Sequence, residues 1–214
     1  MLCGEHLLKM RTPTPGAWRH VAPLVGFSHG ASGIGLALLR LHAAAPDRRF
    51  AGAAMEGFAY EQALLSPELS NWAHLHEEGT RVTKASWCHG ASGVVLARLA
   101  SLSLAGKEED VALLRSDIES GLRQMADAAG NASDGSLCCG EMGRVETLLC
   151  AGRRLGRPEL EDQTRHRASG VAAGLCLPGT RPFLPGFFQG SAGIGYGLLR
   201  LAAPSRLPSI LLWE

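Results

Sequence analysis

The sequence predicts an all-α fold built from helical-hairpin repeats, and three observations carry that prediction. A glycine-rich phrase recurs four times, as Gly26-Phe27-Ser28-His29-Gly30, Ser86-Trp87-Cys88-His89-Gly90, Ser136-Leu137-Cys138-Cys139-Gly140 and Gly186-Phe187-Phe188-Gln189-Gly190. Its equivalent residues His29, His89, Cys139 and Gln189 lie 60, 50 and 50 residues apart, a period that holds two helices per repeat. Each phrase ends in a glycine that has a second one three residues later, then an apolar run, and no β-alternation of any length appears.

The chain opens on the end of a helix around Glu5 to Met10, then a loop broken by Pro13, Pro15 and Pro23. Such a start is expected of a cut into a longer polypeptide. Ile34, Ala37, Leu38 and Leu41 follow the first phrase at i, i+3, i+4 and i+7, which predicts an apolar helix. Pro46-Asp47 ends it, and residues 51–65 form an amphipathic partner that Ser66-Pro67 stops. A polar loop holding Trp72, His74 and His76 leads to the second phrase, then to a helix over 94–104. Its long partner, 108–128, carries Val111, Leu114, Ile118, Leu122 and Met125 on one stripe. After a turn at 131–135 the third phrase opens a helix over 145–155, and Arg157-Pro158 begins another that runs to residue 173. A loop over 178–185 precedes the fourth phrase and its helix, 194–202; Pro204 and Pro208 then lead into an apolar end.

The helices that follow the phrases are short, rich in small residues and apolar on most sides, which suits an inner layer buried all round. Their partners carry the charge and suit an outer layer. Hairpins of this kind stack as an open solenoid or curl into an α/α toroid. In a toroid all four phrases would lie at one end, at the N-termini of inner helices, and would converge on one pocket.

A chain of 214 residues with 46% hydrophobic and 19% charged residues is expected to be a single globular domain. A net charge of +1 offers nothing to nucleic acid or an anionic membrane. No apolar run is long enough for a membrane span, and Met1 to His6 lack the build of a signal peptide. The six cysteines are therefore read in a reducing compartment, by default the cytoplasm, where metal binding or catalysis outranks disulfides.

The chemistry sits in the phrases. Cys88, Cys138 and Cys139 could be small buried hydrophobes, or they could hold a zinc ion, which takes thiolate ligands and, in catalytic sites, keeps one position open. A helix N-terminus favours the thiolate, so cysteines in that register suit the metal. His29 is either a packed capping residue or a general acid or base, since imidazole exchanges protons near neutrality. His89 could be a ligand by type, but three cysteines already fill a catalytic set. Cys3, Cys150 and Cys176 have no phrase around them and are read as structural. Phe27 and Trp87 are read as pocket wall, and His74 and His76 as solvent-facing. Gly33-Ile34-Gly35 and Gly193-Ile194-Gly195 lack the preceding strand that a nucleotide-binding loop requires.

Phe27-Ser28-His29-Gly30-Ala31-Ser32-Gly33, Ser86 to Ala91, Leu137-Cys138-Cys139-Gly140 and Pro185 through Leu201 together resemble the LanC-like lanthionine cyclases. The ending Leu207-Pro208-Ser209-Ile210-Leu211-Leu212 resembles that of the class II lanthipeptide synthetases, whose cyclase is their C-terminal domain. The resemblance runs over essentially the whole chain.

It implies an α/α toroid, a zinc ion (Zn2+) and a ribosomally made precursor peptide as substrate. In the family, a dehydratase converts serine and threonine of the precursor to dehydroamino acids, and the cyclase adds a peptide cysteine across the double bond to close a thioether ring. Cys88 and Cys138 match the first two zinc ligands; Cys139 matches the third, where histidine is common and a subset has cysteine. His29 matches the histidine that acts as acid or base. The family's ring has about seven hairpins, and the aspartate that partners this histidine comes from an earlier one, so the chain is expected to be an N-terminally incomplete toroid of about four hairpins. The alternatives to an active domain are a non-catalytic remnant and a piece that binds precursor peptide or pairs with a complementary toroid half. Glycosidases that share the architecture need a carboxylate pair, whereas the phrases carry only Glu141.

Overall fold

The computed structural model describes residues 1–66, 71–75, 81–83, 85–127, 134–175 and 184–214. Among them the chain is all-α apart from one small sheet. The helices are α1 (Leu2–Lys9), α2 (Ala31–Ala44), α3 (Arg48–Ala63), α4 (Ala91–Ser101), α5 (Glu108–Asp127), α6 (Glu141–Leu155), α7 (Pro158–Leu175) and α8 (Ser191–Ala202), with a 3-10 turn at Ile210–Leu212. The chain divides into two compact units, Met1–Met125 and Ala126–Glu214.

Local chemistry sets the helix ends. The Asp47 carboxylate accepts the Arg49 N–H at 2.8 Å and caps α3. Glu108, Glu109 and Asp110 put negative charge in the first turn of α5, where the helix dipole favours it. Gly156, at φ 66°, closes α6 in the left-handed conformation, and Pro158 then opens α7.

In the first unit, α2 and α3 form a hairpin. Its core joins Leu38 and Leu39 of α2 to Phe50, Ala53, Ala54 and Phe58 of α3, with Trp18 and Leu114. The Trp18 indole N–H donates to the Leu7 carbonyl at 2.9 Å and pins α1 to the loop that follows it. All of α4 is buried, as expected for an inner helix. Gly121 of α5 leaves room for the Val95 side chain, which a Cβ would overlap.

A sheet the periodicity does not predict lies between α3 and α4. There β1 (Leu65–Ser66), β2 (Asn71–Leu75) and β3 (Arg81–Thr83) make an antiparallel sheet in the order β1-β2-β3. Leu65 pairs with Trp72, and His74 pairs with Val82. Strands of two to five residues are too short to show alternation. Trp72 anchors the sheet, 1% exposed, its indole N–H bound to the Glu61 carbonyl at 2.9 Å. The His74 side chain and all of His76 lie outside the described residues.

In the second unit α6 and α7 form a hairpin, and α8 packs on α6. Gly197 makes way for Met142 there, and a Cβ would overlap its methyl group. Arg200 of α8 reaches Glu146 of α6 at 2.8 and 2.9 Å, both side chains nearly buried. Its Nη1 donates to both the Pro204 and Leu207 carbonyls and so holds the last segment against α8. After α8 the described residues hold the 3-10 turn at Ile210–Leu212.

Candidate metal centre

The phrases do not stand alone: within each unit one is bonded to the next. In the first unit the Phe27 N–H donates to the Trp87 carbonyl at 3.0 Å, and the His29 N–H to the Cys88 carbonyl at 3.3 Å. In return the Gly90 N–H donates to the Val25 carbonyl at 3.1 Å. The rings follow the backbone. Phe27 stacks on Trp87 with centroids 5.2 Å apart, and His29 stacks on His89 at 4.1 Å with planes 3° apart.

Phe27, Trp87 and Cys88 are buried, whereas His29 is exposed. An imidazole open to solvent is thus fixed beside the backbone of a buried thiol. The Ser86 hydroxyl shapes the turn: it donates to the His89 carbonyl at 2.7 Å and lies 3.7 Å from the Cys88 Sγ. Close approach of the two loops needs glycine at position 93. A Cβ there would overlap both the Trp87 carbonyl and the Phe27 N–H.

Beneath this pair lies a charged cluster that has no solvent access. Glu61 of α3 accepts the Gly26 N–H at 3.2 Å and the Ser32 N–H at 3.1 Å, one on each flank of the first phrase. The Ser32 hydroxyl donates to the other carboxylate oxygen. Arg98 of α4, fully buried, pairs with Glu61 at 3.1 Å and with Asp117 of α5 at 2.8 Å. It also donates to the Ser32 hydroxyl at 3.1 Å and lies 4.0 Å from the Phe58 ring centroid. Burial pushes the Glu61 carboxyl above the usual carboxylate range; the Arg98 charge and the Ser32 and Gly26 hydrogen bonds pull the other way. Sequence reasoning missed this cluster. The available signal was Arg98 itself, a lone cation inside the apolar run 94–100.

In the second unit the Cys138 N–H donates to the Phe188 carbonyl at 2.9 Å, joining the third phrase to the fourth. Asp134 builds the turn: its carboxylate accepts the Ser136 N–H at 2.9 Å and its carbonyl the Glu141 N–H at 2.8 Å. The result places the Cys138 and Cys139 Sγ atoms 3.5 Å apart, with Cys138 half-buried and Cys139 exposed. Neither thiol is in a disulfide, so two adjacent residues offer soft donors within reach of a shared ion. Glu141, the lone carboxylate of the phrases, is engaged by Arg144 at 2.8 Å and Arg167 at 2.7 Å.

Cys150, two turns down α6, is a different kind of thiol. Its Sγ donates to Glu146 Oε1 at 3.2 Å. Burial, with the Glu146 charge adding to it, pushes the thiol up to about 12. A thiol so far from ionising is inert, because the thiolate is the nucleophile. At about pH 8 iodoacetamide is expected to alkylate the exposed Cys3 in the folded chain and leave Cys150 intact until denaturant is added. Peptide mass mapping checks this, and equal labelling of the two in the folded chain would contradict it. Cys3 is exposed on α1, and Cys176 lies outside the described residues.

No described helix is long and apolar enough to cross a membrane. A search of curated proteins found none that matches the chain. A family model described as Lanthionine synthetase C-like protein matches residues 3–212.

Proposed function

We propose that this chain, which belongs to the lanthionine synthetase C-like family, is a zinc-dependent cyclase domain acting in the cytoplasm on a ribosomally made, dehydrated precursor peptide. The reaction adds a peptide cysteine thiolate to dehydroalanine or dehydrobutyrine, and a dehydratase must supply that alkene. The observation that carries the reading is the pairing of His29 with the Cys88-His89 segment through the backbone and stacked rings.

Cys88, Cys138 and Cys139 would hold the zinc. The donor chemistry fits: three thiols of which two lie 3.5 Å apart, and soft sulfur is what zinc prefers over hard oxygen sites. A zinc ion held by these residues would keep an incoming thiol ionised at neutral pH, the thiol proton passing to solvent. As sulfur bonds to Cβ, the alkene electron pair moves onto Cα and its carbonyl. The ring N–H of protonated His29 then delivers a proton to Cα. Exposure of His29 makes that proton reachable, and its backbone bond to Cys88 keeps acid and ligand in one piece.

Two variants test the reading. Metal analysis of the purified chain is expected to find about one zinc per molecule, lost in Cys138→Ala. His29→Asn is expected to keep the metal yet slow ring closure on a dehydrated peptide by about 10²–10⁴-fold, read as loss of free thiol. Equal zinc in the chain and in Cys138→Ala would end the metal assignment. Unchanged turnover in His29→Asn would end the proton-donor role.

A further inference from the structure

The first two phrases are joined by rings as well as by backbone, and the rings pair in register. Phe27 on Trp87 and His29 on His89 each bring together residues 60 apart in the chain. The Phe27–Trp87 pair is tilted by 24° with centroids 5.2 Å apart, whereas the two imidazoles lie at 4.1 Å and within 3° of parallel. The second pair is therefore a flat contact, one ring laid on the other. Proton transfer as derived above uses the His29 ring and leaves the His89 ring without a part.

The two rings are held unequally. His29 is exposed, and His89 is half-buried. The Ser86 hydroxyl grips the His89 backbone, donating to its carbonyl at 2.7 Å and accepting its N–H at 3.3 Å. Gly26, at φ 118°, brings the first phrase close: a Cβ there would lie 2.9 Å from the His89 Cα and 2.6 Å from the Cys88 oxygen. Glu61 in turn accepts the Gly26 N–H. His89 is thus a fixed shelf, and His29 is the ring laid on it. What such a stack fixes is a plane. Both N–H bonds of an imidazolium lie in the plane of its ring, so a turn about Cβ–Cγ swings each proton through an arc. A ring flat against its neighbour cannot make that turn without losing the contact.

We infer that His89 is a positioning residue for the proton transfer assigned to His29: its ring sets the plane of the His29 imidazole and so the direction in which the proton is offered to Cα. The inference rests on the cyclase reading above and adds a residue to it. The duty asks residue 89 for a flat ring and not for a ring nitrogen, and His89 itself neither gives nor takes a proton.

Ring closure on a dehydrated peptide is compared between the full chain and its His89→Ala, His89→Gln and His89→Phe variants, circular dichroism verifying the fold of each. His89→Ala and His89→Gln are expected to lower kcat by about 10–100-fold with KM little changed, the cost of a misplaced reacting group. His89→Phe is expected to recover most of the rate. A second measurement needs no turnover: proton NMR of the chain with isotope-labelled histidine, the His29 ring signals identified by their loss in His29→Asn. Protons over the face of an aromatic ring resonate upfield, so these signals are expected upfield in the parent chain and in His89→Phe, and to move downfield in His89→Ala. Signals that stay in place in His89→Ala overturn the inference, as does an unchanged kcat in that variant. So does a His89→Phe variant as slow as His89→Ala, because an imidazole nitrogen would then be what matters. A parent chain that closes no rings, or a His29→Asn variant as fast as the parent, overturns the cyclase reading and this role with it. The NMR shift, still present, would mark that failure as one of function and not of ring geometry.

Discussion

Arg98→Met is expected to lower the stability of the folded chain by about 3–5 kcal/mol, the usual result of removing one partner from a buried ion pair. The guanidinium is the cation shared by Glu61 and Asp117, and both carboxylates stay buried without it. The loss is read from urea unfolding, where the midpoint should fall sharply. It also depends on pH, with a definite sign. Glu61 is already held above the usual carboxylate range by burial, and losing Arg98 pushes it higher. A group raised in the folded state binds more protons folded than unfolded, so its stability is full in acid, below the ordinary carboxylate value. That stability drains as pH rises through the raised value. The deficit of Arg98→Met relative to the parent chain is therefore expected to be smaller near about pH 4 than near about pH 8. Adding Glu61→Gln should return part of the loss at the higher pH. A deficit that does not change with pH would show that Glu61 is not the group left stranded.

Gly93→Ala is expected to lower stability by about 3 kcal/mol, the upper end for overpacking, because the added methyl meets backbone rather than a side chain that can swing away. The two atoms it would overlap, the Trp87 oxygen and the Phe27 nitrogen, are partners in the 3.0 Å hydrogen bond that joins the first two phrases. Gly52→Ala is the matched comparison. It lies within α3, where an added methyl would meet nothing within 4 Å, so it is expected to raise stability by about 0.5–1 kcal/mol through helix propensity alone. Thermal unfolding of the pair should move in opposite directions. A Gly93→Ala variant as stable as the parent chain would mean the loops part without cost.

The helices are readable from the sequence to within a few residues. The stripe from Val111 to Met125 matches α5, Glu108–Asp127, which starts where expected; residue 128, the expected end, lies outside the described residues. The starts of α4, α6 and α8 are three or four residues earlier than expected, at Ala91, Glu141 and Ser191. The reason is physical: the phrase glycine is itself the cap, and the second glycine sits in the first turn to admit the phrase backbone rather than to break the helix. Register among the phrases likewise singles out His29, Cys88, Cys138 and Cys139 from the sequence alone. The cluster of Glu61, Arg98 and Asp117 is illegible there for the opposite reason. Charged residues on an amphipathic pattern read as a solvated face, and only three-dimensional packing shows that these three meet one another. The short sheet escapes notice because its longest strand, Asn71–Leu75, is five residues long.

The bonds from Val25, Phe27 and His29 to Trp87, Cys88 and Gly90 also bear on how the polypeptide emerges during translation. The first phrase leaves the ribosome about 60 residues before its backbone partners, an interval of roughly 3–12 s at ordinary elongation rates. Until then its amides are left to water, and the flanking Glu61 and Arg98 also arrive one after the other. Codon usage between the two phrases therefore governs how long the first waits exposed to chaperones and proteases.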